Sequence, residues 1–155
     1  GRTPSASTPA SRSWTSAARS ASFIQSFARV GLVPDSGGTW FLPRLIGAAR
    51  ARGLALLAEP LPAEQAEQWG LIWKCVDDAA LADEAQKLCE HFATAPTQGW
   101  ALIKRALDAS ATNTLDAQLD LERDSQREAS LTPDYAEGVR AFMEKRKPNF
   151  SGRKK

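Results

Sequence analysis

Histidine, cysteine and long apolar runs are all scarce in this chain, and each shortage removes a class of chemistry. His91 is the only histidine among 155 residues, and Cys75 and Cys89 are the only cysteines. No second histidine or clustered thiol completes a metal site around His91, so no metal is expected. A Ser-His-Asp arrangement would need a GxSxG elbow, which is absent, and His91 is read as an exposed helical residue. The cysteines form neither a CxxC pair nor a secreted-type framework. They point to a reducing, cytoplasmic setting and to buried small apolar residues rather than a disulfide. No apolar run approaches the roughly 20 residues of a membrane helix. Gly31, Gly37 and Gly38 make neither GxGxxG nor a P-loop. Aromatic and basic residues do not interleave as stacking on nucleic acid requires.

What is present suits one domain with a usable core, since 43% of the residues are hydrophobic. The net charge of +2 is unevenly spread: +4 over residues 1–29, −8 over 30–139 and +6 over 140–155. A basic end beside an acidic body fits a phosphate-bearing partner or a solvated tail. Residues 1–16, GRTPSASTPASRSWTS, contain no acid and show neither helical nor strand periodicity, so they read as an irregular leader. Residues 151–155 read as a basic tail.

Between these ends the pattern is mostly helical. Helices are expected over residues 37–46, 48–57, 63–69, 80–93, 98–109, 115–129 and 133–145, with two short strands at 22–27 and 71–76. Leu81, Ala85, Leu88, Cys89 and Phe92 share one helical face, as do Tyr135, Val139 and Phe142. Pro43 would cost a helix interior about 3 kcal/mol, so a kink or restart is expected there.

Residues 31–47 read GLVPDSGGTWFLPRLIG and place Asp35 in a turn ahead of a Gly-Gly helix start. A carboxylate there can cap the helix by accepting from its unpaired first-turn N–H groups. It can also do proton chemistry, and a single carboxylate suits removal of a proton beside a carbonyl and its return elsewhere. The whole segment resembles the catalytic loop of the crotonase (enoyl-CoA hydratase/isomerase) superfamily, Gly-Leu-x-Pro-x-x-Gly-Gly-Thr followed by Leu-Pro-Arg. The resemblance continues through AEQAEQWGLIWKC at residues 63–75 and EGVRAFMEKRKPNF at 137–150, covering about residues 17–153. PDSGGTW, WGLIW and the helix NTLDAQLDLERDSQR are most similar to the phenylacetate-pathway isomerases, which convert a ring epoxide of phenylacetyl-CoA to an oxepin-CoA.

The resemblance implies a mainly α, truncated crotonase fold: the end of the ββα spiral with the catalytic loop at 17–76 and a helical trimerisation domain at 77–150. It implies an acyl-CoA isomerase with acyl-CoA as substrate, no separate cofactor, and a homo-oligomer, trimer or hexamer. Asp35 matches the acid/base of the family's isomerases. Phe142 and Lys145 match positions that meet the adenine and 3′-phosphate of CoA. Hydratases use two glutamates, and one of those positions holds Phe27 here, which cannot activate water. In the family the two oxyanion-hole donors come from the first half, which residues 1–16 do not match. Losing one such donor costs about a hundred- to a thousand-fold, so negligible turnover is expected of this polypeptide alone. The leader is accordingly expected to stem from a shifted frame or a truncated gene model. The competing readings are a hydratase and a non-catalytic helical assembly fragment.

Overall fold

The computed structural model describes residues 15–152, and these are mainly helical with short strands. In chain order they form β1 (Ser16–Ala18), β2 (Ser22–Phe23), a 3-10 helix (Ser26–Val30), α1 (Gly38–Ile46), α2 (Ala48–Leu57), β3 (Leu61–Pro62), α3 (Ala63–Gln68) and β4 (Lys74–Val76). A 3-10 turn (Asp78–Ala80) then leads into α4 (Leu81–Ala93), α5 (Thr97–Ser110), α6 (Leu115–Ser130) and α7 (Pro133–Met143). The chain divides into two compact units between Ala85 and Gln86. The reading of residues 1–16 as an irregular leader fails at its end, where Ser16 opens β1 and pairs with Lys74; residues 1–14, and residues 153–155 of the expected basic tail 151–155, lie outside the described residues.

In the first unit β1 pairs in parallel with β4, and β2 pairs antiparallel with β3. The strand expected over 22–27 shrinks to Ser22–Phe23, because its partner offers only Leu61 and Pro62, and proline has no N–H to extend a ladder. Residues Ser26–Val30 wind into the 3-10 helix instead. The strand expected over 71–76 is confined to Lys74–Val76, the length of its partner β1. Arg19 closes this corner by pairing with Glu64 and with Asp77 at 2.8 Å, while Ser20 N–H donates to Asp78 at 3.0 Å. That hydrogen bonding lowers the Asp78 carboxyl below its usual range.

The core of this unit is built from Leu42, Ile46, Leu54, Leu61 and Ile72 around the small residues Ala63 and Ala66. Alanine at 63 and 66 lets α3 lie close to β3, and both residues are fully buried. The expected restart at Pro43 does not occur: α1 runs unbroken to Ile46. Proline removes a single i→i−4 bond from a nine-residue helix whose Leu42 and Ile46 are buried on either side of it, so packing outweighs the loss.

In the second unit α5 and α6 are joined by Arg105, which reaches Ser125 at 3.4 Å and Glu128 at 3.2 Å, and by Gln118, which donates to the Ala106 carbonyl at 3.1 Å. Thr114 and Thr132 cap α6 and α7 by accepting from Ala117 and Tyr135, and Pro133 follows at the first helical position. The α4 stripe is only half-buried at Leu88 and Phe92, and Cys89 is exposed, contrary to its expected burial. The reason is local: Phe92 takes an edge-on contact with Trp100 at 5.1 Å, and this contact sets the inward direction of α4, leaving Cys89 outside it. His91 is exposed, as expected, with its ring 5.5 Å from Trp100.

Candidate active site

The site around Asp35 is a sequence of backbone turns. Gly31, at φ 73°, ends the 3-10 helix, and the Leu32 N–H returns to the Phe27 carbonyl at 3.0 Å. Arg29 ties this helix to the end of α2 by donating to the Ala58 carbonyl at 2.6 Å. Beyond the apolar residues Leu32 and Val33 the chain reverses over residues 35–38. The Asp35 carbonyl accepts the Gly38 N–H at 2.8 Å, with Ser36 at φ 50° and Gly37 at φ 81°. Two consecutive left-handed residues make this a type I′ turn, which strongly favours glycine at its second centre.

The backbone geometry overturns the capping reading of the Asp35 side chain. Gly37 is the N-cap of α1, and its carbonyl takes the Trp40 and Phe41 N–H groups at 2.9 Å each. Asp35 contributes its backbone carbonyl to the turn, whereas no described residue makes a hydrogen bond or ion pair with its carboxylate. Asp35 is exposed, as are Val33 at 78% and Leu32 at 63% just before it in the chain. A carboxylate spared from structural duty is free to act on a ligand.

Gly37 is favoured by its positive φ and by contact, and Gly38 by contact alone. A Cβ on Gly37 would lie 2.8 Å from the Phe41 ring, and one on Gly38 would lie 3.3 Å from Pro34. Gly37→Ala is expected to lower stability by about 1–2 kcal/mol, because alanine must take a left-handed φ. Gly99→Ala, within α5 with open space around it, is the control and should be neutral or stabilising in urea titration.

Phe142 and Lys145 lie in the second unit. Phe142 is 82% exposed in the last turn of α7. Lys145 is exposed, adopts φ 52°, and donates its N–H to the Phe142 carbonyl at 3.2 Å. An open cleft of about 410 Å³ runs beside Phe142, lined also by Pro96, Gly99, Tyr135, Val139 and Phe150. Among the described residues no group of three His, Cys, Asp or Glu side chains could hold a metal ion. No helix of the structure is long and apolar enough to cross a membrane.

Sequence reasoning missed three features: the positive φ of Ser36, the Arg29 anchor, and an ionic network at the end of α7. The Ser-Gly pair is itself a weak signal for a type I′ turn, but no local signal marks the other two. In that network Glu137 accepts Arg146 at 2.6 and 3.1 Å and the Asn149 N–H at 2.9 Å. The Arg146 guanidinium, the Asn149 amide and the nearby Arg140 pull the Glu137 carboxyl down from 4.5 to about 2. A lowered folded-state pKa means stability that is present in full above pH 4.5 and lost as pH falls from there toward about 2. Urea midpoints of the wild type should therefore fall between pH 5 and pH 3 more steeply than those of Glu137→Gln.

Comparison with known proteins adds the family. A profile described as enoyl-CoA hydratase/isomerase matches residues 14–153. The chain belongs to this enoyl-CoA hydratase/isomerase family. It is 60% identical over 137 residues to 1,2-epoxyphenylacetyl-CoA isomerase of Escherichia coli, an alignment covering 88% of the chain and 52% of the relative. It is 48% identical to a protein of Rhodobacter capsulatus named "Probable enoyl-CoA hydratase", over 88% of the chain and 53% of that protein. Among solved structures, an enoyl-CoA hydratase from Bacillus anthracis superposes with a TM-score of 0.85 at 31% identity, covering 90% of this chain and 54% of the other. The crotonase-type fold expected from the motif is thus found, and the chain spans about half the length of the curated relatives it matches.

Proposed function

We propose that Asp35 is the acid/base of an acyl-CoA isomerase. The carboxylate takes a proton from the carbon beside the thioester carbonyl, and the electron pair moves onto the carbonyl oxygen as an enolate. The same carboxyl then returns the proton further along the acyl chain, so a 3-enoyl-CoA becomes a 2-enoyl-CoA with no atom gained or lost. The observation that carries this reading is the carboxylate of Asp35, which has no partner among the described residues and is carried on a backbone-made type I′ turn.

The likeness to the E. coli 1,2-epoxyphenylacetyl-CoA isomerase supports a ring epoxide of phenylacetyl-CoA as substrate and a place in phenylacetate breakdown. The likeness to the Rhodobacter protein supports hydration instead. Phe27 weighs against hydration, since a phenyl ring stands where the family's hydratases place one of two water-activating glutamates. Phe142 and Lys145 are proposed contacts for the adenine and 3′-phosphate of CoA, the ammonium pairing with the phosphate. A homo-oligomer would cover the exposed Tyr135 and Val139 of α7 and Leu131 at the end of α6; a monomer by light scattering at micromolar concentration would contradict it.

The test is a chimera in which the first half of the E. coli relative precedes residues 15–155 of this chain. The chimera should isomerise a 3-enoyl-CoA, while the chain by itself should not. A chimera that folds and binds acyl-CoA without isomerising it would overturn the proposal.

A further inference from the structure

Two carboxylates one turn apart on α7 take up donors from the end of the chain. Asp134 is 4% exposed, and its oxygens accept from Ser151 N–H at 2.8 Å, Ser151 Oγ at 3.2 Å and Gly152 N–H at 3.0 Å. Glu137 accepts the Asn149 N–H at 2.9 Å beside the Arg146 guanidinium. A buried carboxylate is costly unless hydrogen-bonded, so departure of this segment would strand Asp134 without those three donors.

The segment is fitted at its far end too. Gly152, at φ 64°, offers its carbonyl to the Thr97 hydroxyl at 3.4 Å, and a Cβ there would lie 2.7 Å from Thr97 Oγ1. Phe150 falls between the two carboxylate anchors. Its ring lies over Gly138, close enough that a Cβ on that glycine would be 3.5 Å away, and it faces the same cleft as Phe142.

We infer that residues 147–152 are a strap seated jointly by Asp134 and Glu137, and that the strap supplies one wall of the Phe142 cleft through Phe150. The cleft then belongs to the strapped state alone. Releasing either anchor removes the wall, and any ligand of the cleft binds only while the strap is seated. The inference concerns the second unit and stands apart from the role of Asp35.

Amide hydrogen exchange by NMR on the whole chain reads the strap residue by residue. In Asp134→Ala, Ser151 and Gly152 should exchange at least tenfold faster. Asn149 should also exchange at least tenfold faster, although its own acceptor Glu137 is untouched. Glu137→Ala should give the reciprocal result, and both variants should lose the nuclear Overhauser contact between Phe150 and Gly138. The Leu102 amide in α5 should keep its protection and so report an intact helical unit. If Asp134→Ala fails that control, Gly152→Ala, which crowds Thr97, is read by the same criteria. Acceleration of Asn149 by less than tenfold, or a surviving Phe150 contact, would mean that the anchors act separately, and the inference would be overturned.

Discussion

Asp35→Asn in the chimera is expected to lower kcat by about 10²–10⁴-fold, the range a positioned general acid/base contributes. Asparagine keeps the size of the side chain and can neither take nor return the proton. The turn holding residue 35 is made by the backbone, from the Asp35 carbonyl to the Gly38 N–H at 2.8 Å, so the substitution leaves the fold and the position of the side chain unchanged. KM should move far less than kcat, because the substitution keeps the size of the side chain and removes only its ability to transfer a proton. Steady-state kinetics with a 3-enoyl-CoA would check it. A loss of stability accompanying the loss of rate would point instead to a structural carboxylate, contrary to its lack of described partners.

The second large effect is on stability. Leu61→Ala is expected to destabilise the first unit by about 2–5 kcal/mol, the range for truncating a well-packed leucine. Leu61 is 2% exposed, is held in register by pairing with Phe23, and borders the fully buried Ala63 and Ala66. Its neighbours are already as small as they can be without glycine, so the vacated space does not refill readily. The whole stability of a domain is about 5–15 kcal/mol, so this substitution removes a large part of it. Leu57→Ala is the comparison: Leu57 is 65% exposed, and its loss should cost less than about 0.5 kcal/mol. Urea unfolding followed by circular dichroism distinguishes the two.

These expectations show which parts of the molecule are written locally in the sequence. Helices were legible because their signals are local: all seven spans match to within about two residues, and Thr114 and Thr132 cap α6 and α7 at the expected starts of those spans. Strands were not. The length of β2 is set by Leu61–Pro62, nearly forty residues away, and β1, reading Ser-Ala-Ala, carries no strand pattern and exists only because β4 pairs with it. Pro43 shows the same limit from the other side, because a strong local signal for a break yields to burial of Leu42 and Ile46. Cys89 shows it again, since helical spacing identified a face of α4 without revealing that Phe92 and Trp100 would set its direction.

At the candidate site the motif announced Asp35, and the structure supplied what a motif cannot. Ser36 and Gly37 hold consecutive left-handed conformations, the carboxylate is left out of the turn's hydrogen bonding, and a cap expected of the side chain is made by backbone. The strap was illegible for a further reason. Thr-Pro-Asp reads as a helix start, and nothing in it reveals that Asp134 is buried against donors from residues 151 and 152.

The central claim is that one carboxylate moves a proton and no water is added. The most direct measurement is incubation of the chimera with a 3-enoyl-CoA in H₂¹⁸O, with products resolved by mass spectrometry. The account predicts a 2-enoyl-CoA of unchanged mass, formed at a rate that Asp35→Asn abolishes. A chimera that leaves the 3-enoyl-CoA unchanged but converts a 2-enoyl-CoA to a 3-hydroxyacyl-CoA carrying ¹⁸O would contradict it and would make the chain part of a hydratase despite Phe27.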